Sequence, residues 1–148
     1  MTLSRSRRLV RAVVASACFA VAGLVAAAPS SAATYSCSPP SYPDTSNGGY
    51  FSGPNGSKKI KVSGYSKRSA CRAGRAAVIA HHRCRRASGI KGRCSGKTIR
   101  FTLSGKTQRL RCTERRNPDL QSSTEVNGAV TCSRGSKKVR FIFQQNLN

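Results

Sequence analysis

Acidic side chains, histidine and tryptophan are all scarce in this chain of 148 residues. It contains four Asp and Glu residues, two His and no Trp. The few carboxylates are widely spaced and assemble no paired-carboxylate signature, and no Ser-His-Asp pattern or phosphate-binding glycine loop is present. The composition therefore argues against a glycosidase or a kinase. The lack of Trp and of other large apolar side chains also predicts a core that needs covalent support.

Residues 1–33 have the pattern of a signal peptide. Four arginines precede an uncharged run from Ala12 to Ala28, and small residues follow at Ser31 and Ala33. A charged start, a short apolar run and a small-residue cleavage site are the features of a secretory signal. The run is shorter than the ~20 residues that a membrane-spanning helix needs. We therefore expect cleavage before Thr34, with loss of Cys18, and secretion of the remaining chain.

Removal of residues 1–33 leaves a strongly basic chain with an even number of cysteines. Four of the 27 basic residues are lost, so 23 remain against four acidic ones, a formal net charge of +19. Six cysteines in a small exported chain are typical of three disulfides. The overall style is that of small exported bacterial proteins. The cysteines expected to form disulfides are Cys37, Cys71, Cys84, Cys94, Cys112 and Cys132.

Residues 34–56 are predicted to form an extended lead-in that is rich in Pro, Gly and Ser. Its Pro-Pro, Pro and Asn-Gly-Gly elements oppose regular structure over most of its length. Cys37 is expected to tether it to the body of the protein. The turn signal at residues 53–56 also suggests a short hairpin between Tyr50-Phe51 and a strand at residues 58–62.

Residues 57–148 are predicted to form a single small α+β domain. Residues 69–87 have helical periodicity with a side of small residues and an opposite arginine-rich side, and Ser66 or Ser69 is suited to cap the helix. Four alternating segments, at residues 97–103, 108–112, 125–132 and 137–144, predict two hairpins, with residues 114–123 as a connecting loop. We therefore expect one Ala- and Arg-rich helix packed on a small antiparallel sheet and stapled by disulfides.

The predicted helix restricts how the cysteines can pair. Cys71 and Cys84 are thirteen residues apart, which corresponds to ~20 Å along a continuous helix. A disulfide requires Cα atoms within about 7 Å, so these two cysteines cannot pair. Cys112 and Cys132 share the inward phase of their strands. A bridge between them, or from either of them to the helix, is therefore expected.

Basic side chains are predicted to point outward from both the helix and the strands. Clustered guanidinium and ammonium groups bind phosphate and carboxylate polymers through charge and the release of counterions. We therefore expect non-catalytic, non-specific binding to an extracellular or cell-surface polyanion: a wall polymer, an anionic lipid surface or nucleic acid. The alternative is that the charge serves only solubility. The expected contact residues are Arg68, Arg72, Arg75, Arg83, Arg86, Arg100, Arg109, Arg111, Lys138 and Arg140.

Two more specific functions remain as alternatives. A secreted ribonuclease-like enzyme would need His81 or His82 paired with Glu114 or Glu125, because adjacent helical residues point about 100° apart and the two rings cannot easily converge. A protease inhibitor or toxin-like ligand would present a rigid loop, such as residues 133–136 or 114–123.

No catalytic residue, metal ion or cofactor is assigned from the sequence, and the oligomeric state stays open. A zinc site formed by His81, Cys84 and Cys94 is less favoured than disulfides in an oxidising compartment. Four tyrosines, three of them within residues 34–56, offer stacking surfaces for bases but are weak evidence alone.

Overall fold

The computed structural model describes residues 32–44, 48–116 and 124–147. Almost all of the expected signal peptide, residues 1–33, lies outside these ranges. Within them, no helix is long and apolar enough to cross a membrane. The elements are β1 (Thr34–Cys37), β2 (Gly49–Ser52), β3 (Ile60–Ser63), α1 (Lys67–Arg86), β4 (Thr98–Leu103), β5 (Lys106–Arg115), β6 (Glu125–Arg134) and β7 (Lys137–Asn146).

The strands form one antiparallel sheet in the order β1-β3-β7-β6-β5-β4, and β2 also pairs with β7. The two predicted hairpins are present as β4–β5 and β6–β7. Ser104 and Gly105, which connect β4 to β5, have φ angles of 49° and 74°. Two left-handed residues in succession match the right-handed twist of a tight hairpin. The local turn chemistry therefore sets the β4–β5 register.

The helix packs on one face of this sheet, as the alternating pattern predicted. Val130, Val139, Phe141 and Phe143 are buried on that face. The helix follows Ser66, one of the two predicted cap residues, and begins two residues before the predicted start. At Gly74 it approaches β3 so closely that a Cβ atom would lie 2.6 Å from Val62 Cγ2. The small side of the helix thus permits close contact with the sheet.

Two short strands form inside the segment that was expected to be an extended lead-in. β1 pairs with β3, and β2 pairs with β7. The predicted hairpin between Tyr50-Phe51 and residues 58–62 is wrong. β2 and β3 pair with successive parts of the same edge of β7 and run in the same direction. The 3-10 turn Pro54–Gly56 between them therefore does not reverse the chain.

The six cysteines expected to pair form three disulfides. Cys37–Cys71 joins β1 to the first turns of α1, so the expected tether by Cys37 is confirmed. Cys84–Cys94 joins the last turn of α1 to the segment before β4, and Cys112–Cys132 links directly opposed residues of β5 and β6. Cys71 and Cys84 do not pair, as the length of the helix required. Three disulfides are typical of proteins from oxidising, extracellular compartments.

Candidate polyanion-binding face

Basic side chains occupy the face of the sheet that points away from the helix. Ile99 of β4, Leu110 of β5 and Val139 of β7 are buried toward the helix. Side chains alternate along a strand, so the residues next to each of these project to the opposite face of the sheet. Most of these basic side chains are exposed. We call this group the cationic face; it consists of Lys61, Arg100, Arg109, Arg111, Lys138 and Arg140.

Strand register brings like charges on the cationic face directly opposite one another. Lys61 pairs with Arg140 across β3 and β7, and Arg100 pairs with Arg109 across β4 and β5. Opposed Cβ atoms in such pairs lie about 4.5–5.5 Å apart, and like charges at that distance destabilise a sheet. The folded protein therefore holds this charge together against a repulsion that a bound anion would relieve.

Hydroxyl groups alternate with the cations along the same rows. Thr98, Arg111 and Ser133 are directly opposed across β4, β5 and β6. With Arg109 and Arg134 they line a hollow of about 280 Å³. Guanidinium groups and hydroxyl donors around one hollow are suited to the oxygens of a phosphate or sulfate group.

The carboxylates that the structure describes are engaged away from the cationic face. Among the described residues, the ion pairs join Asp44 to Arg86 and Glu114 to Arg116 and His81. Glu125 accepts hydrogen bonds from two side-chain amides at the far end of the same face. No carboxylate of residues 32–44, 48–116 and 124–147 thus neutralises the cationic face.

The helix arginines lie on the other side of the protein from the cationic face. Arg68, Arg72 and Arg75 are exposed on α1, whose opposite side packs on the sheet. Arg86 is paired with Asp44 at 3.1 Å. The predicted residues therefore fall into a helix group and a sheet group on opposite sides of the protein. The two groups adjoin at the edge strand β4, where Arg75 and Arg83 of α1 and Arg100 of β4 line one groove of about 670 Å³.

Both histidines are buried and therefore lie away from any approaching polymer. His81 is 0% exposed and His82 is 6% exposed. His81 does meet Glu114, as the ribonuclease hypothesis required, with 3.5 Å between Nε2 and Oε2. That distance is too long for a good hydrogen bond. In this conformation neither ring reaches a substrate, so the arrangement supports a structural role.

The environment of Glu114 keeps its carboxylate charged inside the protein. Burial alone would raise its pKa, but contacts with His81, hydrogen bonds from Arg116 and the Cys94 N–H, and the charge of Arg116 lower the pKa to about 2. Burial lowers the pKa of His81, and Glu114 opposes this only in part. Burial and the nearby arginines lower the pKa of His82 to about 4. Both rings are therefore neutral at pH 7.

Arg85 is a fully buried cation that sequence analysis missed. Its guanidinium donates to Ile90 O at 2.8 Å, to Tyr42 Oη at 3.3 Å and to Gln145 Oε1, and it lies 4.5 Å from the centroid of the Phe143 ring. It follows His81 by four residues and so shares its side of the helix. That spacing was the feature of the sequence from which the burial of Arg85 could have been predicted. Arg85 stabilises the interior and is unavailable to a ligand.

Two further residue sets from the sequence are accounted for by the fold. Cys84 and Cys94 are bonded to each other, so neither provides a thiolate for the zinc site considered above. Residues 133–136 form the tight β6–β7 turn, in which Gly135 and Ser136 are the connecting residues. Of residues 114–123, the first two belong to β5 and residues 117–123 lie outside the described ranges.

Comparison of the chain with protein-family models, with curated proteins and with solved structures finds no significant match. The geometry of the described residues is therefore the basis on which function is argued below.

Proposed function

We propose that this protein is a secreted, non-catalytic binder of anionic polymers and that the cationic face is its principal contact surface. The observation that carries the proposal is the uncompensated charge: opposed pairs such as Lys61–Arg140 and Arg100–Arg109 have no carboxylate partner among the described residues. Simple solubility does not require cations to be held opposite one another across strands. A polymer of phosphate, sulfate or carboxylate groups would stabilise this arrangement.

The sheet favours this role over the helix because it fixes the spacing of its cations. Backbone hydrogen bonds hold neighbouring strands about 4.8 Å apart, and β6 lies between the two cation-bearing pairs β3–β7 and β5–β4. The cations therefore form a two-dimensional array whose spacing the backbone fixes. A flexible anionic chain can then contact several cations at once and release several counterions. The helix arginines form a single row, and Arg86 of that row is already paired. We therefore assign them a weaker, secondary contribution.

The test is a matched pair of triple variants that remove equal charge from the two surfaces. One carries Arg109→Gln, Arg111→Gln and Arg140→Gln on the cationic face. The other carries Arg68→Gln, Arg72→Gln and Arg75→Gln on the helix. Affinity for polyphosphate and for dextran sulfate is measured against salt concentration by fluorescence anisotropy.

The sheet variant is expected to lose most of the binding, while the helix variant keeps most of it and both remain folded. Equal losses in the two variants would show that net charge alone acts. Absence of binding by the unmodified protein at low salt would refute the proposal. Export is tested separately by locating the native chain and assaying its free thiols, because reduced cysteines inside the cell would contradict secretion.

A further inference from the structure

One end of the outer sheet surface is built differently from the cationic face. Tyr50 of β2 is 52% exposed, and among the described residues it is the exposed large hydrophobic side chain. It borders a hollow of about 370 Å³, which lies within the 300–1,000 Å³ that ligand pockets have. We call this the aromatic hollow; its lining includes Tyr50, Arg115, Asn127, Ala129, Ile142 and Gln144.

The aromatic hollow has an apolar floor and a polar edge. Ser52, Ile142, Ala129 and Arg115 are opposed in one row across β2, β7, β6 and β5. Ile142 and Ala129 give the hollow apolar surface beneath the exposed tyrosine ring. A flat ring that enters can therefore lie on apolar side chains and against Tyr50 or the guanidinium plane of Arg115.

The amide groups at the edge have a fixed orientation. Asn127 Nδ2 donates to Glu125 Oε1 at 3.1 Å, and Gln144 Nε2 donates to Glu125 Oε2 at 2.8 Å. An ionised carboxylate only accepts hydrogen bonds, so both amides must turn their nitrogen atoms toward Glu125. Gln144 Oε1 is thereby presented as an acceptor, suited to the exocyclic amino group of a base.

Charge separates the aromatic hollow from the cationic face. Glu125 is the carboxylate of the outer surface among the described residues, and it lies beside the hollow rather than among the cations. It disfavours a phosphate or sulfate group on the side of Asn127 and Gln144, whereas Arg115 lines the hollow as a cation; a neutral ring is not repelled by either. Gln144 is four residues from Arg140 on β7, about 13 Å along the strand. A short stretch of one polymer can therefore place a neutral ring in the hollow and anionic groups on the cationic face.

We infer that the anionic polymer is a single-stranded nucleic acid, with a base in the aromatic hollow and its phosphates on the cationic face. This inference rests on the proposed function and narrows its partner. In a duplex the bases stack on each other and their faces are closed to protein, whereas a single strand exposes them to aromatic and guanidinium planes. Sulfated or carboxylated polysaccharides are disfavoured because their sugar rings are puckered and have no flat π face to stack on Tyr50 or Arg115.

The test uses two single-stranded DNA probes of equal length, one with bases and one fully abasic, together with inorganic polyphosphate and dextran sulfate. The unmodified protein is expected to bind the base-containing strand more tightly than the abasic one. A base stacked on an aromatic side chain contributes about 1–3 kcal/mol, so Tyr50→Ala should weaken binding to the base-containing strand by about 5- to 150-fold. Binding of the abasic strand and of polyphosphate should not change.

Tyr50→Phe keeps the stacking ring and is the matched control, so it should retain the preference for bases. Equal affinity for the two DNA probes, or no effect of Tyr50→Ala on base-containing DNA, would overturn the inference while leaving general polyanion binding intact. A loss of dextran sulfate binding in Tyr50→Ala, without loss for DNA, would assign the hollow to a sugar instead. Failure of every probe to bind would refute the proposed function itself.

Discussion

The two faces of the sheet consist of the same strands but differ in whether their charged side chains have partners of opposite charge. On the inner face, Glu114 is buried and is compensated by Arg116 and by a backbone N–H. On the outer face, cations oppose cations, and none of the carboxylates in the described part of the chain lies among them. A protein with only four acidic residues has placed at least two of them, Asp44 and Glu114, in contacts that support the interior. Within the described residues, the two faces therefore differ in whether a cation has a carboxylate beside it.

The largest expected effect is on the inner face, where a charge is balanced by a specific partner. Glu114→Gln leaves the guanidinium of Arg116 without its carboxylate partner in a largely buried setting. Breaking a buried ion pair by removing one partner costs about 3–5 kcal/mol. We expect that loss in the free energy of unfolding, measured by urea denaturation. Glu125→Gln on the outer face is the matched control and should change it by less than about 1 kcal/mol.

Arg85 and Arg83 allow a buried and an exposed cation to be compared within one helix. Arg85→Leu removes the donor that Ile90 O, Tyr42 Oη and Gln145 Oε1 share. An acceptor left buried and unsatisfied costs about 1–3 kcal/mol, and removal of a buried charge with its desolvation penalty offsets part of the total. We expect a loss of about 2–3 kcal/mol by thermal and chemical denaturation. Arg83→Leu, at an exposed position, should be nearly neutral. Equal effects of the two changes would contradict the interior role of Arg85.

Buried histidines predict how stability depends on pH. The pKa of His82 is about 4 in the folded protein and about 6.5 when unfolded. The unfolded chain therefore binds the proton first, and stability falls as pH decreases from 6.5 to 4. Lowering the pH from 7 to 5 should reduce the free energy of unfolding by about 2 kcal/mol through this group.

His82→Phe keeps the ring contacts with Tyr42 and Phe51 and removes the titration, so it should flatten this pH dependence. An unchanged slope in the variant would contradict the burial of His82. Glu114 acts in a lower window. Its pKa falls from 4.5 to about 2 on folding, so the stability that it contributes is lost as pH decreases from about 4.5 through 2.

The smallest expected effect has the opposite sign and concerns the outer face. Arg109→Thr removes one member of the opposed Arg100–Arg109 pair. Relief of like-charge repulsion should stabilise the fold by about 0.2–1 kcal/mol at low salt, and the gain should shrink as salt increases. The same variant should bind polyphosphate more weakly. A destabilised variant with unchanged binding would mean that the face is structural.

Local patterns in the sequence predicted most of the helix and strand positions. The features that sequence analysis missed depend on contacts between distant parts of the chain. Alternation identified the inward residues of β4 to β7, and it also placed Glu114 in phase with Leu110 and Cys112, although that residue was assigned to a loop. The pairing of β2 with β7 was not predictable because Tyr50 and Gln144 are opposed from distant parts of the chain. Local turn signals favoured the hairpin instead.

The candidate site was predicted in its composition but not in its arrangement. Most outward cations of the strands were identified from alternation. Lys61, between Ile60 and Val62, and Arg115, in phase with Arg109 and Arg111, carried the same signal and were missed. The division of the basic residues into two opposite groups required the packing of α1 on the sheet. The roles of Thr98 and Ser133 required the register, because only direct opposition places them beside Arg111.

The central claim is that an anion contacts the outer face of the sheet. Titration of isotope-labelled, disulfide-bonded protein with polyphosphate, followed through its amide NMR signals, tests this directly. The account predicts that the signals of Arg109, Arg111, Ser133 and Arg140 shift first and most, while those of Arg68 and Arg72 on the helix change little. Shifts concentrated on the helix, or spread evenly over the protein, would contradict it.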